Sequence, residues 1–335
     1  MERKERMVKD AWKEKGYVDE PIPAGVTDLK EVIRALCKEK NAVILAHYYT
    51  EGAIQDVADF VGDSLALAQK AARTEADVLV MCGVHFMGET CKLLCPDRLV
   101  LVPDLNATCS LAESCPAGAF ADFVRSHPGH KVISYVNTTA ATKAVTDVVV
   151  TSSNARQIVE SFPKDQPLIF GPDRNLGSYL NALTGRQMVL WDGACHVHER
   201  FSVEKIVELK QAHPQARVLV HPECKGPVVR LADKVGSTAA LLSYAVESDA
   251  TEFIVATESG ILHEMQKKCP AKTFLPAPPA DSCGCNECSY MRLNTLQKLY
   301  NCMKYEWPAV EVDAAVAKDA VKPIERMLEI SEQLG

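Results

Sequence analysis

The residues of this chain best suited to chemistry are three cysteines at domain-sized intervals, Cys109, Cys195 and Cys288, with steps of 86 and 93 positions. Each follows a small hydroxyl motif: Gly62-Asp63-Ser64, Thr151-Ser152-Ser153 and Gly236-Ser237-Thr238. Ser64 to Ser152 is 88 positions and Ser152 to Ser237 is 85. Each hydroxyl motif in turn follows an apolar run that ends on polar side chains: His47-Tyr48-Tyr49, Tyr135-Val136-Asn137 and His221-Pro222-Glu223. The steps there are 88 (47 to 135) and 86 (135 to 221). Three thiolates brought together suit a soft metal or an iron–sulfur cluster. Four cysteines would close a [4Fe–4S] cluster, whereas three leave one iron open to act as a Lewis acid. Zinc bound by three cysteines and a histidine is the alternative, with His196 beside Cys195 as fourth ligand. Spacing alone does not separate the two.

The chain has 13 cysteines in all, and most read as small buried hydrophobes, among them Cys37, Cys82, Cys224, Cys269 and Cys302. Cys91-x3-Cys95 places two thiols one helical turn apart and reads as packing. Cys109 and Cys115 share one segment, and the repeat phase favours Cys109. Cys283-Gly-Cys285-Asn-Glu-Cys288 follows the proline-rich Pro276–Pro279. It offers one ligand with a reversible disulfide, or half of a zinc site whose second Cys-x2-Cys is missing.

A lone histidine at a strand end is more often structural than catalytic. His47, Tyr49, Tyr135, Asn137, His221 and Glu223 carry more weight because they fall at equivalent strand ends. Together they supply donors for carboxylates and a carboxylate to move protons. The hydroxyl motifs read as helix openings, where backbone N–H groups and the dipole favour an anion.

Val-, Ile- and Leu-rich runs position these groups: Ala42–Ala46, Val78–Cys82, Leu99–Val102, Val132–Val136, Val148–Val150, Leu168–Phe170, Met188–Trp191, Val218–Val220, Phe253–Ala256 and Thr273–Leu275. They alternate with helical periodicity, as in Ile54–Ala72 and Ser202–Gln211. Continuous apolar strands between amphipathic helices indicate parallel sheets covered on both faces, with ligands beyond the carboxyl ends of the strands. Three position series in step predict triplication of one small α/β domain. The expected divisions are a charged extension over 1–20, repeats over 21–125, 126–212 and 213–290, and a helical segment over 291–335 that packs back on the first domain.

Net charge is 37 − 44 = −7, which argues against nucleic acid as the main partner. No run approaches a membrane span, and the charged start leads into no apolar core, so a cytoplasmic protein is expected. In that reducing compartment the cysteines point to metal or redox chemistry rather than a disulfide framework.

Several motifs resemble those of the quinolinate synthase family. They are Leu45-Ala46-His47-Tyr48-Tyr49, Ile54-Gln55, Ala58-Asp59, Gly62-Asp63-Ser64-Leu65 and Cys82-Gly83-Val84-His85-Phe86-Met87 in the first third. In the middle are Cys109-Ser110-Leu111-Ala112, Tyr135-Val136-Asn137, Thr151-Ser152-Ser153-Asn154-Ala155 and Phe170-Gly171-Pro172-Asp173. Trp191-x3-Cys195-x2-His198-Glu199, His221-Pro222-Glu223-Cys224, Gly236-Ser237-Thr238, Thr257-Glu258-x-Gly260 and the run from Cys288 to Asn294 complete the set. The likeness spans roughly 40–300. It implies three homologous α/β/α sandwich domains with parallel sheets, in pseudo-threefold symmetry around a central active site. It also implies one [4Fe–4S] cluster on Cys109, Cys195 and Cys288, with one open iron. The implied reaction condenses iminoaspartate with dihydroxyacetone phosphate to quinolinate, with loss of phosphate and two waters, in de novo NAD biosynthesis. An aspartate-oxidising enzyme would supply the iminoaspartate.

By motif, His47, Ser64, Tyr135, Asn137, Ser152, His221, Glu223, Ser237 and Thr238 are expected to bind substrate. Tyr49 and Glu223 are expected to carry acid/base steps, assisted by His47 and His221. The family's Cys-x2-Cys-x2-Cys triplet is altered here, because position 282 is Ser and Cys283 gives Cys-x-Cys-x2-Cys. The rival readings are another open-iron hydro-lyase and a non-enzymatic zinc–thiolate scaffold.

Overall fold

A computed structural model describes residues 10–281 and 286–334. Cys283 and Cys285 lie outside the described residues. Among those described, twelve strands form three four-stranded sheets, and every pairing is parallel. The first sheet holds β1 (Ala42–His47), β2 (Phe60–Gly62), β3 (Val78–Cys82) and β4 (Leu99–Leu101). The second holds β5 (Lys131–Tyr135), β6 (Val148–Val150), β7 (Leu168–Gly171) and β8 (Val189–Leu190). The third holds β9 (Arg217–Val220), β10 (Lys234–Val235), β11 (Glu252–Ala256) and β12 (Thr273–Pro276). Strand orders are β2-β1-β3-β4, β6-β5-β7-β8 and β10-β9-β11-β12, one topology three times.

The expected apolar runs all became strands. The edge strands β2 and β10 were not foreseen, because glycine and lysine interrupt the apolar run that marks their counterpart β6. The helical stretch expected over Ile54–Ala72 is therefore interrupted: helix Gly52–Val57, then β2, then helix Ser64–Arg73. The helix expected from Ser202 runs Val203–Ala212, with the Ser202 hydroxyl accepting the Lys205 N–H as its cap.

Two further series, both invisible as motifs, bind each repeat together. Asp59, Asp147 and Asp233 each accept the N–H of a residue 15 positions earlier in the central strand, Ile44, Val132 and Val218, at 2.8 Å. Each carboxylate also pairs with a cation, Arg34 at 2.7 Å, Lys131 at 2.8 Å and Arg217 at 2.8 Å. The backbone bond draws the Asp233 carboxyl below its ordinary value, against the opposing effect of partial burial. Arg98, Arg186 and Lys272 donate to the carbonyls of Thr74, Phe162 and Ser248, where the helices Ser64–Arg73, Ala155–Ser161 and Thr238–Glu247 end. Both series step by 88 and 86 positions.

The chain divides into two compact units: residues up to Cys109 with Ser289–Val312, and Ser110–Cys288 with the residues from Asp313 on. In the first, Ile33, Ile44, Ile54, Val80 and Leu101 pack with Leu299, Cys302 and Met303 from helix Leu296–Tyr305, which lies on helix Leu29–Glu39. Trp12, in the stretch expected as a bare charged extension, is buried and sits 5.0 Å from the Tyr305 ring. In the second unit, Phe120, Val132 and Ile169 form one core, and Ile206, Val218, Val220 and Ile254 another. Each fully buried side chain of this size contributes about 2–3 kcal/mol. The C-terminal helix Ala314–Leu334 packs on β6 and on helices Ala140–Lys143 and Ala155–Ser161, so the 291–335 segment does not return to the first repeat as a whole. No helix among the described residues is long and apolar enough to cross a membrane.

Candidate active site

In the second unit, the carboxyl ends of β5 and β9 bring the expected polar residues into direct contact. The Tyr135 hydroxyl donates to Glu223 Oε1 at 2.6 Å. His221 Nε2 lies 3.3 Å from Ser152 Oγ, and its Nδ1 accepts the Glu223 N–H at 3.4 Å. In the neutral ring the His221 proton therefore sits on Nε2, directed at Ser152. Tyr135, His221 and Glu223 are all buried, while Ser152 and Asn137 are partly exposed.

Two residues absent from the expected site complete it. His198 Nδ1 approaches Glu223 Oε2 at 3.1 Å, and its Nε2 is 3.0 Å from Thr257 Oγ1. Its ring stacks on His221 at 4.8 Å. Asp173 is fully buried and caps helix Arg174–Thr184 by accepting the Leu176 N–H at 2.8 Å. The two carboxylates are driven apart. Burial, and then the Glu223 charge, push the Asp173 carboxyl well above the usual range. Burial alone would also raise Glu223, but the charge and hydrogen bond of His198, the charge of His221 and the Tyr135 hydroxyl reverse this and bring it to about 2. Such a division between neighbouring acids is a mark of proton-transfer sites. The only sequence signal for His198 was its place in Cys195-x2-His198, and for Asp173 its place after Gly171-Pro172.

The first unit repeats the strand-end geometry. His47 Nδ1 accepts the Tyr49 N–H at 3.2 Å, the counterpart of His221 and Glu223, which again leaves the proton of the neutral ring on Nε2. The Tyr49 ring stands edge-on to His47 at 4.5 Å, and Arg292 donates to the Tyr49 carbonyl at 3.0 Å. Ser64 opens its helix, capped by Asp63. In the third repeat Ser237 is the cap, accepting the Ala240 N–H at 3.2 Å, and Thr238 is the first helical residue. Steps of 88 and 86 align Thr238, rather than Ser237, with Ser64 and Ser152. Ser152 stands in a turn, three residues before its helix opens at Ala155.

Of the eleven described cysteines, eight are buried and only Cys109, Cys195 and Cys288 are not. Burial pushes the thiol of Cys37 up to about 11 and that of Cys115 up to about 12. It also raises Cys82, Cys91, Cys95, Cys224 and Cys302. The thiolate is the ligand form, so these seven are poor candidates for a soft metal centre. The backbone is constrained at or near two of the partly exposed three. The Cys288 N–H donates to the buried Glu258 carboxylate at 3.1 Å, and that carboxylate also accepts the Gly260 N–H at 2.7 Å. Near Cys195, a Cβ on Gly193 would lie 2.5 Å from both the Pro172 carbonyl and Ser114 Oγ, so only glycine fits. His196 bonds Ser110 Oγ at 2.7 Å. Ligand atoms of Cys195, His198 and Glu223 lie within 4.8 Å of one another, a set that could hold a metal ion. His198 and Glu223 are, however, already engaged with each other, with Thr257 and with Tyr135.

Three parallel α/β repeats, with buried acids at their strand ends and a few partly exposed thiols, define an α/β enzyme with a metal-capable site. A family profile described as "Quinolinate synthetase A protein" matches residues 31–329. The quinolinate synthase of Thermosynechococcus vestitus is 58% identical over 312 residues, covering 93% of this chain and 98% of that protein. Those of a Nostoc species and a Synechococcus species are 58% and 56% identical, covering 92% and 93% of this chain and 96% and 98% of their own lengths. The chain belongs to the quinolinate synthase family.

Proposed function

We propose that this enzyme condenses iminoaspartate with dihydroxyacetone phosphate to quinolinate, releasing phosphate and two waters, on a [4Fe–4S] cluster held by Cys109, Cys195 and Cys288. The reaction belongs to de novo NAD biosynthesis in the cytoplasm, with iminoaspartate supplied by an aspartate-oxidising enzyme. The observation that supports the reading is that Cys109, Cys195 and Cys288, the ligands the motif resemblance implies, are the only described cysteines that are not buried. Bound there, the cluster supplies one open iron, a Lewis acid for the loss of water from a hydroxyl.

The chain's own residues divide the remaining work. Glu223, held ionised by His198 and Tyr135, accepts a proton at a carboxylate oxygen, and the Tyr135 hydroxyl stays hydrogen-bonded to it throughout. His221 orients Ser152 through Nε2. His47 presents Nε2–H to substrate carboxylate, and the Tyr49 phenol gives and takes a proton. Ser64, Asn137, Ser152 and Thr238 donate to carboxylate and phosphate oxygens. Ser237 is occupied mainly as a helix cap.

Anaerobically purified protein tests this directly. About four iron and four sulfide per chain, with quinolinate formed from the two substrates, are expected. One zinc without sulfide would establish the scaffold alternative instead. A full cluster without quinolinate would point to another hydro-lyase.

A further inference from the structure

Lys143 has no exposed surface, yet it lies in the helix Ala140–Lys143 that follows the β5 strand-end loop. Its Nζ donates to Val136 O at 2.9 Å, to Thr138 O, and to Thr138 Oγ1 at 3.3 Å. Three acceptors match the three protons of an ammonium, one more than a neutral amine can offer. Thr138 Oγ1 can accept because its own proton goes to Tyr135 O at 3.2 Å. Val136 O also takes the Thr138 N–H at 2.8 Å, which closes a tight turn with Asn137 at its centre. Asn137 is the partly exposed residue between buried Val136 and buried Thr138.

Peptide planarity gives this arrangement a direction. A carbonyl drawn toward Lys143 turns the N–H of the same peptide unit the opposite way. The Val136 carbonyl points at the cation, so the Asn137 N–H points away from it. The first repeat uses a neutral version of the device. Gln55, 88 positions earlier, donates from Nε2 to Tyr48 O at 2.9 Å and Thr50 O at 2.8 Å. In the third repeat the matching position, 86 further on, is Val229, which carries no donor.

We propose that Lys143 is a positioning residue for the reaction: its buried cation fixes the Val136–Thr138 turn and makes the Asn137 main-chain N–H a donor to an anionic oxygen of substrate, carboxylate or phosphate. The inference deepens the quinolinate synthase reading and rests on it. Gln at this position keeps two of the donors and removes the charge, as in the first repeat. Met removes both.

The cluster-loaded Lys143→Gln and Lys143→Met enzymes, compared with the parent for KM of each substrate, kcat, iron content and melting temperature, test it. Lys143→Gln is expected to keep the cluster and fold, to hold kcat within about threefold, and to raise KM about tenfold for one substrate. A rise for iminoaspartate assigns the donor to a carboxylate; a rise for dihydroxyacetone phosphate assigns it to the phosphate. Lys143→Met is expected to lose kcat as well, with partial rescue in Lys143→Gln. Unchanged KM for both substrates in Lys143→Gln overturns the proposal, whether or not Lys143→Met folds. A parent enzyme that forms no quinolinate refutes the underlying reading instead.

Discussion

Glu223→Gln separates chemistry from architecture. The substitution conserves shape and lets the Tyr135 hydroxyl keep an acceptor, while it removes the charge facing His198 and His221. Lowering this carboxyl from 4.5 to about 2 corresponds to about 3 kcal/mol of native-state stabilisation. The carboxyl is depressed in the folded state, so that contribution is complete above about 4.5 and is lost as pH falls from there toward about 2. At neutral pH the variant forfeits it. Part returns, because removing the Glu223 charge relieves the neighbouring Asp173, whose carboxyl that charge helps to push up. The net cost therefore stays below about 3 kcal/mol, or a drop in melting temperature of at most about 6–12 °C in a unit of this size. Trp191, packed against Phe120 at 5.6 Å in the same unit, gives a fluorescence signal for that transition. Turnover is expected to fall about 10²–10⁴-fold, the range for loss of a general base. Anaerobic quinolinate formation, normalised to iron content, measures it. Turnover within threefold of the parent, on a variant with full cluster, would refute the proton-transfer role of Glu223.

Cys109→Ser should lose iron, sulfide and activity while Cys115→Ser keeps all three. Retention of a full cluster in Cys109→Ser would transfer the ligand role to Cys115. Gly193→Ala must displace the Pro172 carbonyl, and overpacking of this kind costs about 1–3 kcal/mol. It is expected to lower both the melting temperature and the iron content through its neighbour Cys195, and an unchanged iron content would show that this backbone does not set the thiol. Asp233→Asn should lower the melting temperature by a few degrees, since a buried strand N–H loses a charged acceptor worth about 1–3 kcal/mol. The Asp233 carboxyl lies below its usual value in the fold, so the parent should weaken as pH falls through the carboxylate range. The variant should weaken less there, which thermal melts across the range would show.

The triplication was legible because chain position survives divergence. Strand ends at 47, 135 and 221 keep step although their side chains differ. The central strands were equally plain, since β-branched and apolar residues fill both faces of a covered parallel sheet. The edge strands β2 and β10 were hidden because Gly62, Lys234 and Gly236 break the apolar run that made their counterpart β6 plain. Asp59, Asp147 and Asp233 were hidden for a different reason, because a single acid before an apolar run looks like a solvated turn residue. Its partner is a backbone N–H 15 positions away, which no side-chain pattern records. His198 and Asp173 escaped because each is singular. The repeat logic finds what recurs, whereas His198 holds Glu223 ionised, and Glu223 in turn raises Asp173, at one place only.

Recurrence and singularity divide the scaffold from the groups that move protons. Where a role is mechanical, the three copies agree in type: an acid accepting a central-strand N–H, and a cation donating to the carbonyl where a helix ends. At the strand ends that carry acid/base groups the copies diverge: His47, Tyr135 and His221 in one series, and Tyr49, Asn137 and Glu223 in the next. Identical strand ends could not hold one carboxyl ionised beside another pushed up. The acid/base difference between Glu223 and Asp173 requires the symmetry to be broken at those positions. The series Gln55, Lys143 and Val229 lies on the boundary, one step behind the site. It has diverged like the chemical residues while doing the mechanical work of holding a turn, and that combination marks Lys143 as part of the machinery rather than of the frame.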